Sequence, residues 1–293
     1  MSDQFQLPID RELSLSSQGL RFSPIRLISR GEHALIYAVK IGDNYNALKW
    51  FDVRNNSRYK SLLDKIFNRI IKFRTPHPSF LWPSSICTNP TERYHWSGQT
   101  FDGIGYFMQL KGKNFIDSTE YINGTYEINP ANLIKACSNI AYAIACLHDK
   151  NMFHRDISLS NILIDSSSGQ IQICDNEFVG LNQMQYSRTI EPQIDQALQG
   201  TPGFIAPENL DFTRHTANTD NYSLAAVMYC LLTRTHIKSL GVSDYGPKIN
   251  NLDISSCKKS KIKHFLHYAL CEEQNSSPRR PTARQWHELL KER

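Results

Sequence analysis

Two hydrophobic periods divide the 293 residues of this chain, and the place where one gives way to the other limits its fold more than any other feature. From Leu20 to Asp52 short apolar runs are broken by turns: LRFSPIRLIS, ALIYAVKI, the turn GDN, then YNALKWF. GDN between two β-rich runs reads as a hairpin loop, so the stretch predicts an antiparallel sheet. In SRYKSLLDKIFNRIIKF, residues 57–73, the period changes. Tyr59, Leu62, Leu63, Ile66, Phe67, Ile70 and Ile71 recur every three or four residues, as on one face of an amphipathic helix, and Thr-Pro-His-Pro ends it. Two more strands are expected around 84–88 and in GIGYFMQL, 103–110.

From Asn129 the pattern is helical. NPANLIKACSNIAYAIACLHDKN has an Asn cap, Pro at the first position, and Leu133, Cys137, Ile140, Ile144 and Leu147 on one stripe. Two short strands, NILID and QIQIC, are joined by SSSG, and helices are expected near 218–233, 261–272 and 282–291. The expectation is an α+β chain of two lobes: an N-terminal extension over 1–20, a small β-rich lobe with one main helix over about 21–110, and a larger, mostly helical lobe over about 111–291.

Composition narrows the function classes. Hydrophobic residues make up 40% and charged residues 21%, an ordinary globular balance. Lys plus Arg number 33 against 28 Asp plus Glu, but they are scattered, so no nucleic-acid partner is expected. The seven Cys show no CxxC or Cys/His metal spacing, and most lie in apolar segments, which fits free thiols in a reducing compartment. No signal-peptide pattern opens the chain, and LAAVMYCLL at 224–232 is too short to span a bilayer. A cytoplasmic protein is expected.

The chemistry concentrates in HRDISLSNIL, residues 154–163, a polar loop set just before a strand. Asp156 and Asn161 stand five apart, and Asp175 lies fourteen beyond Asn161, at the end of the next strand pair. A hairpin of two short strands returns the chain to its start, so Asp175 is expected to face Asn161. Carboxylate and amide oxygens collected in this way suit Mg²⁺, a hard cation. A base beside such ligands points to phosphoryl transfer.

These residues resemble the eukaryotic-type Ser/Thr protein kinase family. His154-Arg155-Asp156 with Asn161 is similar to its catalytic loop, Lys49 in NALKWF to the lysine of its third strand, and GTPGFIAPE at 200–208 to the end of its activation segment. The match runs from about residue 20 to 291. The resemblance implies a two-lobe fold and transfer of the γ-phosphate of ATP to a Ser or Thr hydroxyl of an unidentified protein, including this chain itself. It implies ATP with Mg²⁺, or Mn²⁺ in its place, as cofactors. Asp156 is the implied base that orients the hydroxyl, Lys49 the α/β-phosphate ligand, and Asn161 and Asp175 the metal ligands. Gly31, Lys49, Asp64, Met108, Gln109 and Leu110 are the implied ATP-binding positions. Asp220 resembles the acid that holds the catalytic loop, and Arg280 the partner of Glu208. Thr201 resembles the residue that favours Ser/Thr over Tyr. Arg155 resembles a phosphate-binding arginine, with Ser187, Thr189 and Thr201 as candidate phosphosites.

Four positions depart from that family pattern. The glycine-rich loop is SRGEHA, 29–34, which keeps only Gly31. The helix after Lys49 has no Glu, and Asp64 is the only carboxylate between Asp52 and Glu92, so it is the expected partner of Lys49. Asp175-Asn176-Glu177 stands where the family has DFG; Phe178 is expected to take the packing role, and Glu177 reads either as a carboxylate near the metals or as a solvated charge. Ser158 replaces the catalytic-loop lysine, a loss on the order of 3 kcal/mol. These departures support a second reading, a pseudokinase that binds ATP or acts as a scaffold. A third, a small-molecule phosphotransferase, is disfavoured by GTPGFIAPE with Asp220 and Arg280.

Overall fold

The alternation of the first fifty residues resolves into an antiparallel meander. The computed structural model describes residues 6–15, 19–31, 34–53, 56–92, 100–181, 200–209, 215–237, 252, 254–270 and 280–291. The chain divides into two compact units, residues 1–74 with 81–111, and residues 75–80 with 112–293.

In the first unit, β1 (Leu13–Leu15), β2 (Leu20–Arg30), β3 (Ala34–Ile41), β4 (Asn44–Phe51), β5 (Ser85–Thr88), β6 (Thr91–Glu92) and β7 (Ile104–Gln109) form one sheet in the order β5-β7-β4-β3-β2-β1-β6. Every pairing is antiparallel. Strands β3 and β4 pair without a slip from Ala34–Phe51 to Ile41–Asn44, closed by the turn Gly42-Asp43. Helix α1 (Ser57–Ile70) begins at Asn56, whose side chain accepts the Tyr59 N–H at 2.9 Å.

Side chains alternate across a strand, so β4 serves two faces. Leu48 and Trp50 point into a core with Leu35, Tyr37, Val39 and Phe107. The opposite face carries Phe51 and Tyr106 against α1, with the Phe67 ring 5.4 Å from Phe51 and 5.1 Å from Tyr106.

The expected boundary at residue 20 does not describe the packing. Leu7, Leu13 and Leu15 are buried. Strand β1 pairs with both β2 and β6, the Leu7 N–H donates to the Tyr37 hydroxyl at 3.1 Å, and Arg11 pairs with buried Glu92 at 2.9 Å. A three-residue strand is too short for its alternation to register as a period in the sequence.

The second unit takes its helices from the later apolar stripes: α2 (Ser118–Ile122), α3 (Pro130–Asp149), α4 (Ala217–Thr233), α5 (Ser256–Leu270) and α6 (Ala283–Leu290). The Asn129 side chain caps α3 by accepting the Asn132 N–H at 2.8 Å, and all five expected stripe residues are buried. A Thr216/Thr219 capping box starts α4, which is buried almost all round, so LAAVMYCLL is a core helix. Among the described residues no helix is long and apolar enough to cross a membrane.

Strands β8 (Phe115–Asp117), β10 (Ile162–Asp165) and β11 (Ile171–Ile173) form a small sheet, and β9 (Met152–Phe153) pairs with β12 (Gly180–Leu181). Residues 75–80 join this unit because Ser79 O accepts the Ile173 N–H at 2.8 Å and Thr75 O accepts from Lys150 Nζ at 3.0 Å.

Candidate active site

In the first unit, Lys49 stands mid-strand on β4, paired with Ile36 and Tyr106. Its side chain is buried on the α1 face, with Nζ 5.4 Å from the centre of the Phe51 ring. Gly105, one residue from Tyr106, permits this close strand pairing, since a Cβ there would lie 2.2 Å from Lys49 O. Met108 is buried, Gln109 exposed and Leu110 half-buried at the end of β7. Gly31 closes the turn between β2 and β3, its N–H donating to Ala34 O at 2.9 Å.

Asp64 is a correction. It is exposed, and among the described residues its carboxylate makes no ion pair with Lys49. The buried stripe of α1 is Leu63, Ile66, Phe67 and Ile70, and at 100° per residue Asp64 sits roughly 110° from the centre of that stripe. An Asp side chain cannot reach back across the helix.

In the second unit the catalytic-loop resemblance becomes a hydrogen-bonded cluster. The buried Asp220 carboxylate, in the first turn of α4, accepts the backbone N–H of His154 at 2.6 Å and of Arg155 at 3.0 Å. Its Oδ2 also meets His148 Nε2 at 3.0 Å. Burial by itself pushes the Asp220 carboxyl up, but the His148 hydrogen bond and charge and the His154 N–H outweigh it and hold it below the usual carboxylate value. This anchor holds Arg155 at φ 77°, a left-handed conformation that a non-glycine residue seldom adopts.

Beyond the anchor, Asp156 is gripped from both sides. Asn161 Nδ2 donates to Asp156 Oδ2 at 2.9 Å and to its main-chain O at 2.8 Å. Oδ1 accepts the Thr201 hydroxyl at 2.7 Å and the Thr201 N–H at 3.1 Å. The half-buried carboxylate thus has one orientation. With its hydroxyl already donated to Asp156, Thr201 is ill suited to phosphorylation, which would set a dianion against a carboxylate. Ser187 and Thr189 lie outside the described residues.

The β10–β11 hairpin brings the two implied metal ligands together along the backbone. Ile162 faces Ile173, and the Cys174 N–H donates to Asn161 O at 3.0 Å, directly before Asp175. Because Asn161 spends its Nδ2 on Asp156, its Oδ1 points the other way as an oxygen donor, and Asp175 adds a half-exposed carboxylate. An amide and a carboxylate oxygen fit Mg²⁺, which completes its shell with water and phosphate rather than with a protein cage. Among the described residues no group of three His, Cys, Asp or Glu could form such a cage.

The structure shows the surroundings of the departing positions in the second unit. Asn176 and Glu177 are both fully buried, so Glu177 is not a solvated charge. Phe178 is only half-buried, and Asn176 occupies the interior position itself. The Ser158 side chain is also buried, its hydroxyl 3.0 Å from that of Ser160.

Farther along, Glu208 and Arg280 form a two-pronged pair at 2.5 and 2.8 Å. Arg280 also donates to Asn218 O and lies over the Tyr222 ring. Burial raises the Glu208 carboxyl, yet the Arg280 hydrogen bond and charge leave it below its ordinary value. Arg155 is buried over the Phe153 ring and donates to Phe178 O at 2.8 Å.

The sequence matches the protein kinase domain family over residues 107–289. The chain belongs to the protein kinase family. Among similar curated proteins, myosin light chain kinase A of Dictyostelium discoideum is 24% identical over 212 residues, covering 70% of this chain and 64% of that protein. Serine/threonine-protein kinase gad8 of Schizosaccharomyces pombe is 24% identical over 215 residues, covering 72% of this chain and 32% of that one. The alignments thus span less than two thirds of the length of these relatives. The crystal structure of the Mycobacterium tuberculosis PknI kinase domain superposes with a TM-score of 0.62 at 15% identity, covering 92% of this chain and 94% of that one. The fold is that of a protein kinase.

Two participants in the kinase site were not singled out in the sequence. His148 carries no signal there beyond its residue type on the α3 stripe. Gly180 could have been noticed as the glycine five residues after Asp175; a Cβ there would lie 2.2 Å from the Phe153 ring, so only glycine lets β12 lie against β9.

Proposed function

We propose that this chain transfers the γ-phosphoryl group of ATP to Ser or Thr hydroxyls of a protein substrate, its own chain included. The observation that carries the reading is the two-sided grip on Asp156 by Asn161 and Thr201. A carboxylate fixed in this way orients an incoming hydroxyl and takes up its proton, the positioning on which phosphoryl transfer depends. Asn161 Oδ1 and the Asp175 carboxylate would hold Mg²⁺, which neutralises charge developing on the phosphates when bound. Buried Lys49 supplies a fixed positive charge for the nucleotide phosphates, and Gly31 with Met108, Gln109 and Leu110 are its proposed nucleotide contacts. Thr201 beside Asp156 supports a Ser/Thr acceptor, as do the names of the relatives. A cytoplasmic setting agrees with the free cysteines.

A second reading, a nucleotide-binding pseudokinase, is favoured by exposed Asp64, which leaves α1 without the expected acidic partner for Lys49. Labelled phosphate transfer from ATP with Mg²⁺ or Mn²⁺ separates the two, comparing the wild type with Asp156→Ala and Lys49→Ala. Incorporation into Ser or Thr that both substitutions abolish is the expected result. A wild type that transfers nothing, yet whose melting temperature rises with ATP, would replace the first reading with the second.

A further inference from the structure

Asn176 sits directly after the proposed metal ligand Asp175, where the family pattern has an apolar ring. It is fully buried, and both ends of its amide are engaged. Nδ2 donates to Ile173 O at 2.9 Å, closing the turn that carries Asp175. Oδ1 therefore faces His154, whose Nε2 lies 3.2 Å away and must be the protonated nitrogen, because an amide oxygen only accepts. His154 is itself held: its N–H donates to Asp220 at 2.6 Å, and its ring stacks on Phe80 at 6.4 Å. Its Nδ1 is buried with no hydrogen-bond partner among the described residues, so the link to Asn176 is the one polar tie of the ring. Asp175 meanwhile has φ 57°, a left-handed conformation that its neighbours must hold in place.

We propose that Asn176 is a positioning residue, whose amide latches the turn bearing Asp175 to the catalytic loop through His154. An apolar side chain at this place would hold the turn by packing, which tolerates sliding and rotamer exchange. Two directional hydrogen bonds in a buried site allow one arrangement, because a shift breaks the bond to Ile173 O and leaves the His154 ring N–H unpaired. The latch thus fixes Asp175 relative to Asn161 and Asp156 before metal or nucleotide arrives. Its catalytic consequence rests on the reading of Asp175 as a metal ligand; the latch itself does not.

The test is amide hydrogen exchange in the full chain, free of metal and nucleotide, on peptides covering 171–181. In Asn176→Leu the amides of 174–179 should exchange roughly 30-fold faster, the order expected for two lost buried hydrogen bonds, while α3 and α4 keep wild-type rates. His154→Phe, which keeps the contact with Phe80 and removes only the link to Asn176, should give a smaller increase, roughly tenfold. The double variant should exchange no faster than Asn176→Leu, since that change already removes the one link that His154→Phe breaks. In transfer assays Asn176→Leu should raise the KM for Mg²⁺ about tenfold and leave that for the protein substrate unchanged, a split that general loosening of the fold would not produce. Unchanged exchange at 174–179, or effects that multiply in the double variant, would overturn the proposal. If Asn176→Leu does not fold, His154→Phe decides by the same exchange criterion. A wild type without transfer activity would remove the kinase reading, and the exchange result would still decide the latch.

Discussion

Replacing Asp220 tests whether one carboxylate holds the catalytic loop in shape. It is buried and accepts from two backbone N–H groups and from His148. In Asp220→Asn one oxygen is kept, the other becomes an NH₂ facing a donor, and one buried N–H is orphaned at about 1–3 kcal/mol. Loss of charge assistance in the remaining bonds brings the total to about 3 kcal/mol, and Asp220→Ala, which orphans all three donors, to about 5 kcal/mol. Against a total stability of about 5–15 kcal/mol, the first variant should fold and the second be marginal. Urea unfolding at pH 7 measures the difference.

The pH dependence has a definite sign. The Asp220 carboxyl is depressed in the folded state, so its stabilisation is fully present above the unfolded-state value of about 3.9 and is lost as pH falls through the lower folded-state value. The stability gap between wild type and Asp220→Asn should therefore be constant from pH 7 to about 5 and shrink below about 4. A gap under about 0.5 kcal/mol at pH 7, within the range of an ordinary surface substitution, would refute the anchor. So would a gap that does not change on acidification.

Thr201→Val removes one hydrogen bond to a charged acceptor, and kcat should fall roughly 10- to 100-fold with Thr201→Ser near wild type, measured by steady-state transfer. Asp64→Ala should leave both phosphate transfer and melting temperature unchanged, because the residue is exposed and its carboxylate has no ion pair among the described residues; a tenfold loss of transfer would restore it as the partner of Lys49. Gly180→Ala should cost about 3 kcal/mol in urea unfolding, since its Cβ would overlap the Phe153 ring.

The strand and helix order was legible because period is a local property. The run from Leu20 to Phe51 and the stripe from Leu133 to Leu147 each show their own burial, and the structure follows them. Strand β1 was not legible: Leu13 and Ser14 pair with β6, almost eighty residues away, and Leu13 and Leu15 pack into a core that later strands complete. The error at Asp64 has a different origin. Asp64 is the only carboxylate between Asp52 and Glu92, but the angle around the helix, already implied by Leu63, Ile66, Phe67 and Ile70, excludes it from the sheet face.

Asn176 shows most clearly what a motif comparison misses. Read as a letter, it is an apolar residue lost, which suggests that packing fails and that another side chain, Phe178, must compensate. In the fold the interior slot is kept and its chemistry exchanged, because Ile173 O and His154 Nε2 lie within reach of one amide. A buried polar group is costly only when its partners are missing. The same reasoning covers Asp220, whose burial is tolerable because three donors converge on it. Both side chains bond to His154, Asp220 through its backbone N–H and Asn176 through its ring, so this histidine joins the anchor under Asp156 to the turn that carries Asp175. A side-chain substitution at His154 keeps the backbone N–H that Asp220 holds and removes only the ring's bond to Asn176, so it should loosen the turn bearing Asp175 and leave the anchor under Asp156 in place.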